Sequence, residues 1–177
     1  MQGFVELISN FNFPAIPQVL VGALVFVQAI LIIIQNPRSA FHRSYFLFEL
    51  STAVWMVGMG LVYIAGDTAL AFTFAKIGFL GVIYIPVTTY SFSVHFLGDR
   101  KQYPFIYAAA FFTFLLSLSI NTPEMSAGLF QYSWGRYIHL GPLGLFAIAL
   151  FFVLVPFFIF NIYRKEREAP TEQRRWH

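Results

Sequence analysis

The sequence predicts an all-α fold: a polytopic integral membrane helix bundle of five transmembrane helices, amino terminus outside and carboxyl terminus cytoplasmic. Three observations carry this expectation. The chain is 58% hydrophobic and only 11% charged, with a mean hydropathy of +0.69, whereas a soluble domain is about 25% charged. Five stretches each hold roughly 20 mostly apolar residues, the length that crosses a bilayer. Nine of the eleven Lys and Arg fall on one side once those stretches are threaded through a membrane. β-barrel strands would show short alternating segments, and these are continuous runs.

The first span covers about 16–35, entered through Pro14 and Pro17 and closed by Asn36-Pro37. The second covers about 44–65 and closes at Gly66-Asp67. The third, about 70–97, is long enough to tilt or project. The fourth, about 104–120, opens on Pro104, at a first-turn position that needs no N–H. The fifth covers about 142–163. All belong to one transmembrane domain, 1–177, of which 164–177 is a basic cytoplasmic tail. The segment before the first span has no basic residue and only Glu6 as a charge, so it does not read as a signal peptide and the first span is expected to stay as an anchor.

Lys and Arg fix the orientation. Arg38, Arg43, Arg100, Lys101, Arg164, Lys165, Arg167, Arg174 and Arg175 share one side, and Lys76 and Arg136 belong to the other. This asymmetry also explains the pI near 9.3 as a topology signal with a contact to anionic lipid, and not as a nucleic-acid surface. The partners expected are the lipid bilayer and either a second copy or neighbouring membrane subunits.

Polar groups inside the spans are the candidate functional residues. Counted from the cytoplasmic ends, Gln28, Glu49, Thr88 and Ser91 lie about 10–14 Å deep, with Thr113 at the same level. An ionisable group there faces the bundle interior or a water cavity. The expectation is a polar layer in which Glu49 is held by Thr88, Ser91 or Gln28, with Pro86 freeing a carbonyl and bending the third helix. The competing reading is that the hydroxyls bond back to their own backbone. Lys76 is expected to snorkel, with Asp67 or Glu124 as a local counter-charge. Gly58, Gly60, Gly66, Gly78 and Gly81 are expected at helix–helix contacts, and Trp55 against a neighbouring helix.

The loop 121–144 crowds Phe130, Tyr132, Trp134, Tyr137 and His139 around Arg136. Such aromatics form an interfacial belt or the rim of a pocket for an apolar or anionic ligand. Tyr132, Trp134, Arg136, Tyr137 and His139 are therefore the candidate outer-surface contacts.

Much chemistry is excluded. Cysteine is absent, so there are no disulfides or thiolate sites. His42, His95, His139 and His177 lie near span boundaries or in the tail, which argues against a transmembrane haem. No metal-ligand spacing occurs, and the fifth span has no lysine for a retinal Schiff base. No metal, cofactor or catalytic residue is assigned. A transporter-like half built around Glu49 is the weakest rival, since one acid is thin support for an ion pathway.

Three stretches resemble one family. "FLFELSTAVWMVGMGLVYIAGD" is similar to the second helix of the amino-terminal seven-helix sensor region of bacterial histidine kinases and related signalling proteins. "AFTFAKIGFLGVIYIPVTTYSFSVHFLG" is similar to its third, and "YSWGRYIHLGPLGLF" to its outer Trp-Gly loop leading into the fifth. The resemblance implies a non-catalytic sensor or input module in the bacterial cytoplasmic (inner) membrane that passes a signal inward, usually as a dimer. It also implies two more spans and then a kinase or cyclase effector beyond the basic linker at the end of this sequence. No phospho-accepting histidine motif or nucleotide-binding Gly-rich segment occurs, so no kinase activity is assigned to these residues. The alternative expectation is a small accessory or scaffold subunit of a larger membrane complex.

Overall fold

The computed structural model describes residues 15–132 and 135–168. It is a helical bundle with one added β-hairpin. The helices are α1 (Ala15–Gln35), α2 (Ala40–Ile64), α3 (Thr68–Leu97), α4 (Tyr103–Leu118) and α5 (Pro142–Glu168). A 3-10 turn, Arg100–Gln102, precedes α4, and strands β1 (Ser126–Tyr132) and β2 (Gly135–Leu140) separate α4 from α5. Four of the helices, α1, α2, α3 and α5, are long and apolar enough to cross a membrane. The α4 helix has 16 residues, about 24 Å of rise against a hydrocarbon core of about 30 Å.

Local chemistry sets the helix ends. Ser39 Oγ accepts from the His42 N–H at 3.5 Å, and Asp67 Oδ1 from the Leu70 N–H at 2.8 Å, satisfying N-terminal donors that lack intrahelical partners. Gly98 ends α3 at φ +69°, the left-handed C-terminal conformation that glycine adopts without strain. Helix α5 runs five residues past the expected span, so Arg164 to Glu168, placed in the tail, are helical.

The central helix is α3, which packs against α2, α4 and α5, while α1 lies along the other side of α2. Lipid tails are as apolar as leucine, so the driving force between such helices is close packing. A Cβ added to Gly58 would come within 2.5 Å of the Gly78 Cα, and one added to Gly81 within 2.5 Å of the Ser51 carbonyl oxygen. The α2 and α3 backbones therefore touch. Gly60 likewise admits Val19 of α1. Gly66 has nothing within 4 Å and makes no helix contact. Trp55 also departs from expectation. Its backbone packs on Gly81, but its side chain is 40% exposed on the outer surface of α2.

The main core joins α2, α3, α4 and the hairpin through Val62, Phe79, Ile83, Leu116, Met125 and Ile138. Met125 is completely buried. It sits in the turns that carry the chain from α4 to β1, so this connection is part of the packed interior.

Candidate functional site

Two polar assemblies sit at opposite ends of α3. At the first end lies the hairpin, which sequence reasoning read as an aromatic loop, an interfacial belt or a pocket rim. Its strands pair Phe130 with Tyr137, Leu129 with Ile138 and Gln131 with Arg136. Directly opposed residues share a face. Leu129 and the buried Ile138 face the helices, and Phe130, Tyr132, Tyr137 and His139 are exposed on the other face. The Phe130 and His139 rings lie 4.2 Å apart, and those of Phe130 and Tyr132 6.1 Å apart. The result is a continuous aromatic surface.

Arg136 does not belong to that surface. Its Nη1 donates to the Ala65 carbonyl at 3.1 Å and the Asp67 carbonyl at 3.2 Å, and its Nε to Gln131 Oε1 at 3.1 Å. It staples the hairpin to the end of α2, where the last carbonyls lack intrahelical donors. Gly135 rests on the Tyr63 ring, which leaves no room for a side chain. Trp134 lies outside the described residues. Lys76, at the same end, donates to Asn121 Oδ1 at 3.3 Å and lies 4.3 Å over the Phe72 ring, so its partner is an amide and a π face rather than Asp67 or Glu124.

β2 runs into α5 with one intervening residue, Gly141. The Leu143 N–H donates to the Glu124 carbonyl at 2.8 Å and the Gly141 N–H to the Met125 carbonyl at 3.2 Å. Main-chain carbonyls of the preceding turn thus occupy the donors at the start of α5.

At the opposite, basic end, a second network joins α3, α4 and α5. The Tyr90 hydroxyl donates to Gln102 Oε1 at 2.7 Å. Gln102 Nε2 donates to Asp99 Oδ2 at 2.9 Å and Asn161 Oδ1 at 3.1 Å. Asn161 Nδ2 reaches Gln102 Oε1 at 3.2 Å and Ser93 Oγ at 3.5 Å. Arg164 closes the set with an ion pair to Asp99 at 2.5 Å. The Gln102 amide, and after it the Arg164 guanidinium, hold the Asp99 carboxyl below its ordinary range. Asn161 is 2% exposed, and its two amide atoms both find partners, as a buried amide must. None of these residues was named as a site from sequence; Arg164 was read as an orientation charge.

The expected intramembrane layer separates into two groups. Gln28 Nε2 donates to the Tyr45 hydroxyl at 2.8 Å, and Glu49 is buried one turn further along α2. Thr88 and Ser91 direct their polar atoms to α3 itself. Thr88 donates to the Tyr84 carbonyl at 2.8 Å, Thr89 to the Ile85 carbonyl at 2.7 Å, and Ser91 meets His95 Nδ1 at 3.3 Å. The physical reason is local: the carbonyl one turn back lies within reach of a helical hydroxyl, here Tyr84 for Thr88 and Ile85 for Thr89. Thr88 and Ser91 also line a cleft of about 570 Å³ among α2, α3 and α4, with Leu47, Val54, Tyr84 and His95.

Among the described residues, no cluster of three or more His, Asp or Glu could hold a metal. The aromatic face offers stacking area, and the basic network offers hydrogen bonds that tie α3, α4 and α5 together.

Residues 18–175 match the family described as the N-terminal 7TM region of histidine kinase. No curated protein and no solved structure matches the chain. With several apolar helices and a family match over most of its length, this is a membrane-embedded sensor region of signal transduction, and the chain belongs to the histidine kinase N-terminal 7TM family.

Proposed function

We propose that this chain is a non-catalytic input module of the bacterial cytoplasmic membrane, with the hairpin outside and the basic end in the cytoplasm. The observation that carries the reading is the course of α5. It starts one residue after the hairpin and ends in the network that binds it to the α3–α4 turn. A stimulus on the aromatic face would shift the start of α5, and the network at its other end would register the shift. Tyr132, Tyr137 and His139, joined by Phe130, are the contacts assigned to the stimulus; Arg136 holds the surface in place.

Five crossings are part of this proposal. The chain leaves the basic network at Gln102 and reaches the hairpin at Ser126, so α4 together with residues 119–125 covers the distance. The charge asymmetry supports the orientation. A homodimer through lipid-facing helices is the expected assembly.

Orientation is tested by labelling introduced cysteines in intact cells, in a chain with none of its own. A membrane-impermeant thiol reagent should modify Ala127→Cys on the hairpin and leave Glu166→Cys untouched until the membrane is opened. The reverse pattern would overturn the topology, and with it the assignment of the aromatic face as receiver.

A further inference from the structure

The cleft among α2, α3 and α4 has a volume of about 570 Å³, within the range of small-molecule sites, about 300–1,000 Å³. It exists because α2 and α4 each pack against α3 rather than against each other. It follows α3 from Gly81 to His95, about 21 Å of helix. Most of its wall is apolar, from Leu47 and Val54 of α2 through Leu80 and Val87 of α3 to Ile106 of α4. Its polar groups are not equivalent. Ser51 donates to the Leu47 carbonyl at 2.8 Å and Thr88 to the Tyr84 carbonyl at 2.8 Å. Ser117 donates to the Phe114 carbonyl at 2.7 Å, so its oxygen accepts from the Tyr84 hydroxyl at 3.2 Å. These hydroxyl protons are spent within the bundle, and Tyr107, the other hydroxyl of the wall apart from Ser91, is 69% exposed. Ser91 and His95 differ. His95 Nδ1 lies 2.7 Å from the Ser91 carbonyl oxygen, which can only accept, so Nδ1 carries the proton and donates. The Ser91 Oγ, 3.3 Å from Nδ1, can then meet it only as an acceptor, and the hydroxyl proton of Ser91 has no partner among the described residues. In the neutral ring Nε2 is the acceptor, and it too has no hydrogen bond among the described residues.

We propose that this cleft binds one long-chain fatty acid, its carboxyl group held by Ser91 and His95 and its chain lying along α3 toward Gly81. One end of the cleft offers a hydroxyl donor beside an imidazole acceptor. A carboxyl group complements both: one oxygen accepts from Ser91, and the other shares a proton with Nε2. The complement is the same whether that proton rests on the acid or on the ring. An ester or a ketone brings no proton to Nε2, and an alcohol has a single oxygen for two partners. The pair also lies where Arg100 and Lys101 follow α3 and Arg43 stands in the first turn of α2, and cations at a membrane surface favour an acidic headgroup. Within a bilayer an acyl chain gains little by exchanging lipid tails for apolar side chains, so the polar pair decides which lipid enters.

The test is native mass spectrometry of the chain in detergent, titrated with palmitic acid, with its methyl ester and with the alcohol of the same chain length. One palmitic acid should bind about tenfold more tightly than the ester or the alcohol. Ser91→Ala should weaken that event about fivefold, and His95→Phe, which keeps a ring against Tyr103, about tenfold. Ala110→Phe, which fills the cleft from α4, should abolish it. Thr73→Val, near the other end of α3, should leave it unchanged. Circular dichroism checks the fold of each variant. Equal binding of the ester or the alcohol, full affinity in Ser91→Ala or His95→Phe, or undiminished binding in Ala110→Phe would each overturn the site. Displacement by phosphatidylglycerol would also overturn it, by assigning the cleft to an ordinary membrane phospholipid. The site is the same whichever end of the bundle faces the cytoplasm, so this titration and the thiol labelling fail independently.

Discussion

Asp99 shows how single side chains act at the basic end. Gln102 and Arg164 stabilise its charged form, so the folded protein takes up that proton less readily than the unfolded chain. The resulting stabilisation is complete above the ordinary carboxyl value of about 3.8 and is lost as pH falls through the lower folded value. A spin label at Glu166→Cys should therefore keep constant mobility from neutral pH down to about 5, and loosen only below the ordinary carboxylate range. Asp99→Asn should flatten that acid limb. Loosening already near neutral pH would mean that another group governs the end of α5. Legibility at this scale was uneven. Thr88 was open to two readings from its type and depth, and the back-bonding one holds, because the i−4 carbonyl is always within reach of a helical threonine. Asn161 was not legible as a site. It stands alone in an apolar run, and its partners Gln102 and Ser93 are 59 and 68 residues away in sequence. Its place one turn before Arg164 was the available signal.

At the scale of elements, the helices were legible and the hairpin was not. The five long apolar runs match α1 to α5 within a few residues at most ends, because span length and flanking Pro, Gly and Asp are local signals. The hairpin segment also carried one, since polar-tipped and apolar residues alternate along 137–140. The concentration of aromatics pointed instead to an interfacial belt, which hid the period of two. Glycines divided by their neighbours rather than by their spacing. Gly58 meets the Gly78 backbone, which cannot move aside, whereas Gly66 faces open space. Gly58→Ala should accordingly cost about 1–3 kcal/mol, and Gly66→Ala should change stability by less than about 0.5 kcal/mol. Thermal unfolding of the two variants in one detergent compares them directly. Equal midpoints would show that α2 and α3 can separate without penalty, contrary to the close backbone approach.

For the whole molecule, the question is whether the two ends of α5 communicate. Helix interiors resist local deformation, and a rigid element can carry a bias between sites only when both ends hold it. Here one end follows directly from the hairpin and the other is bonded to Gln102 and Asp99. The passage from the outer loop into α5 was legible in the sequence, whereas the bonding of its far end to Gln102 and Asp99 was not, because that depends on which helices touch rather than on where they begin. Arg136 offers a way to disturb one end alone, since its bonds go to Ala65, Asp67 and Gln131 and none reaches the basic end. Replacing a charged donor to main-chain carbonyls removes about 1.5–3 kcal/mol. In Arg136→Ala, amides of β1 and β2 should therefore exchange hydrogen about ten- to a hundredfold faster. If α5 works as a lever, amides near Asn161 and Arg164 should change their exchange as well, while those of α1, which packs along α2, should not. Faster exchange confined to the hairpin would mean that the ends are independent, and the signal path would then have to be sought along α3, whose start and finish lie at the same two assemblies.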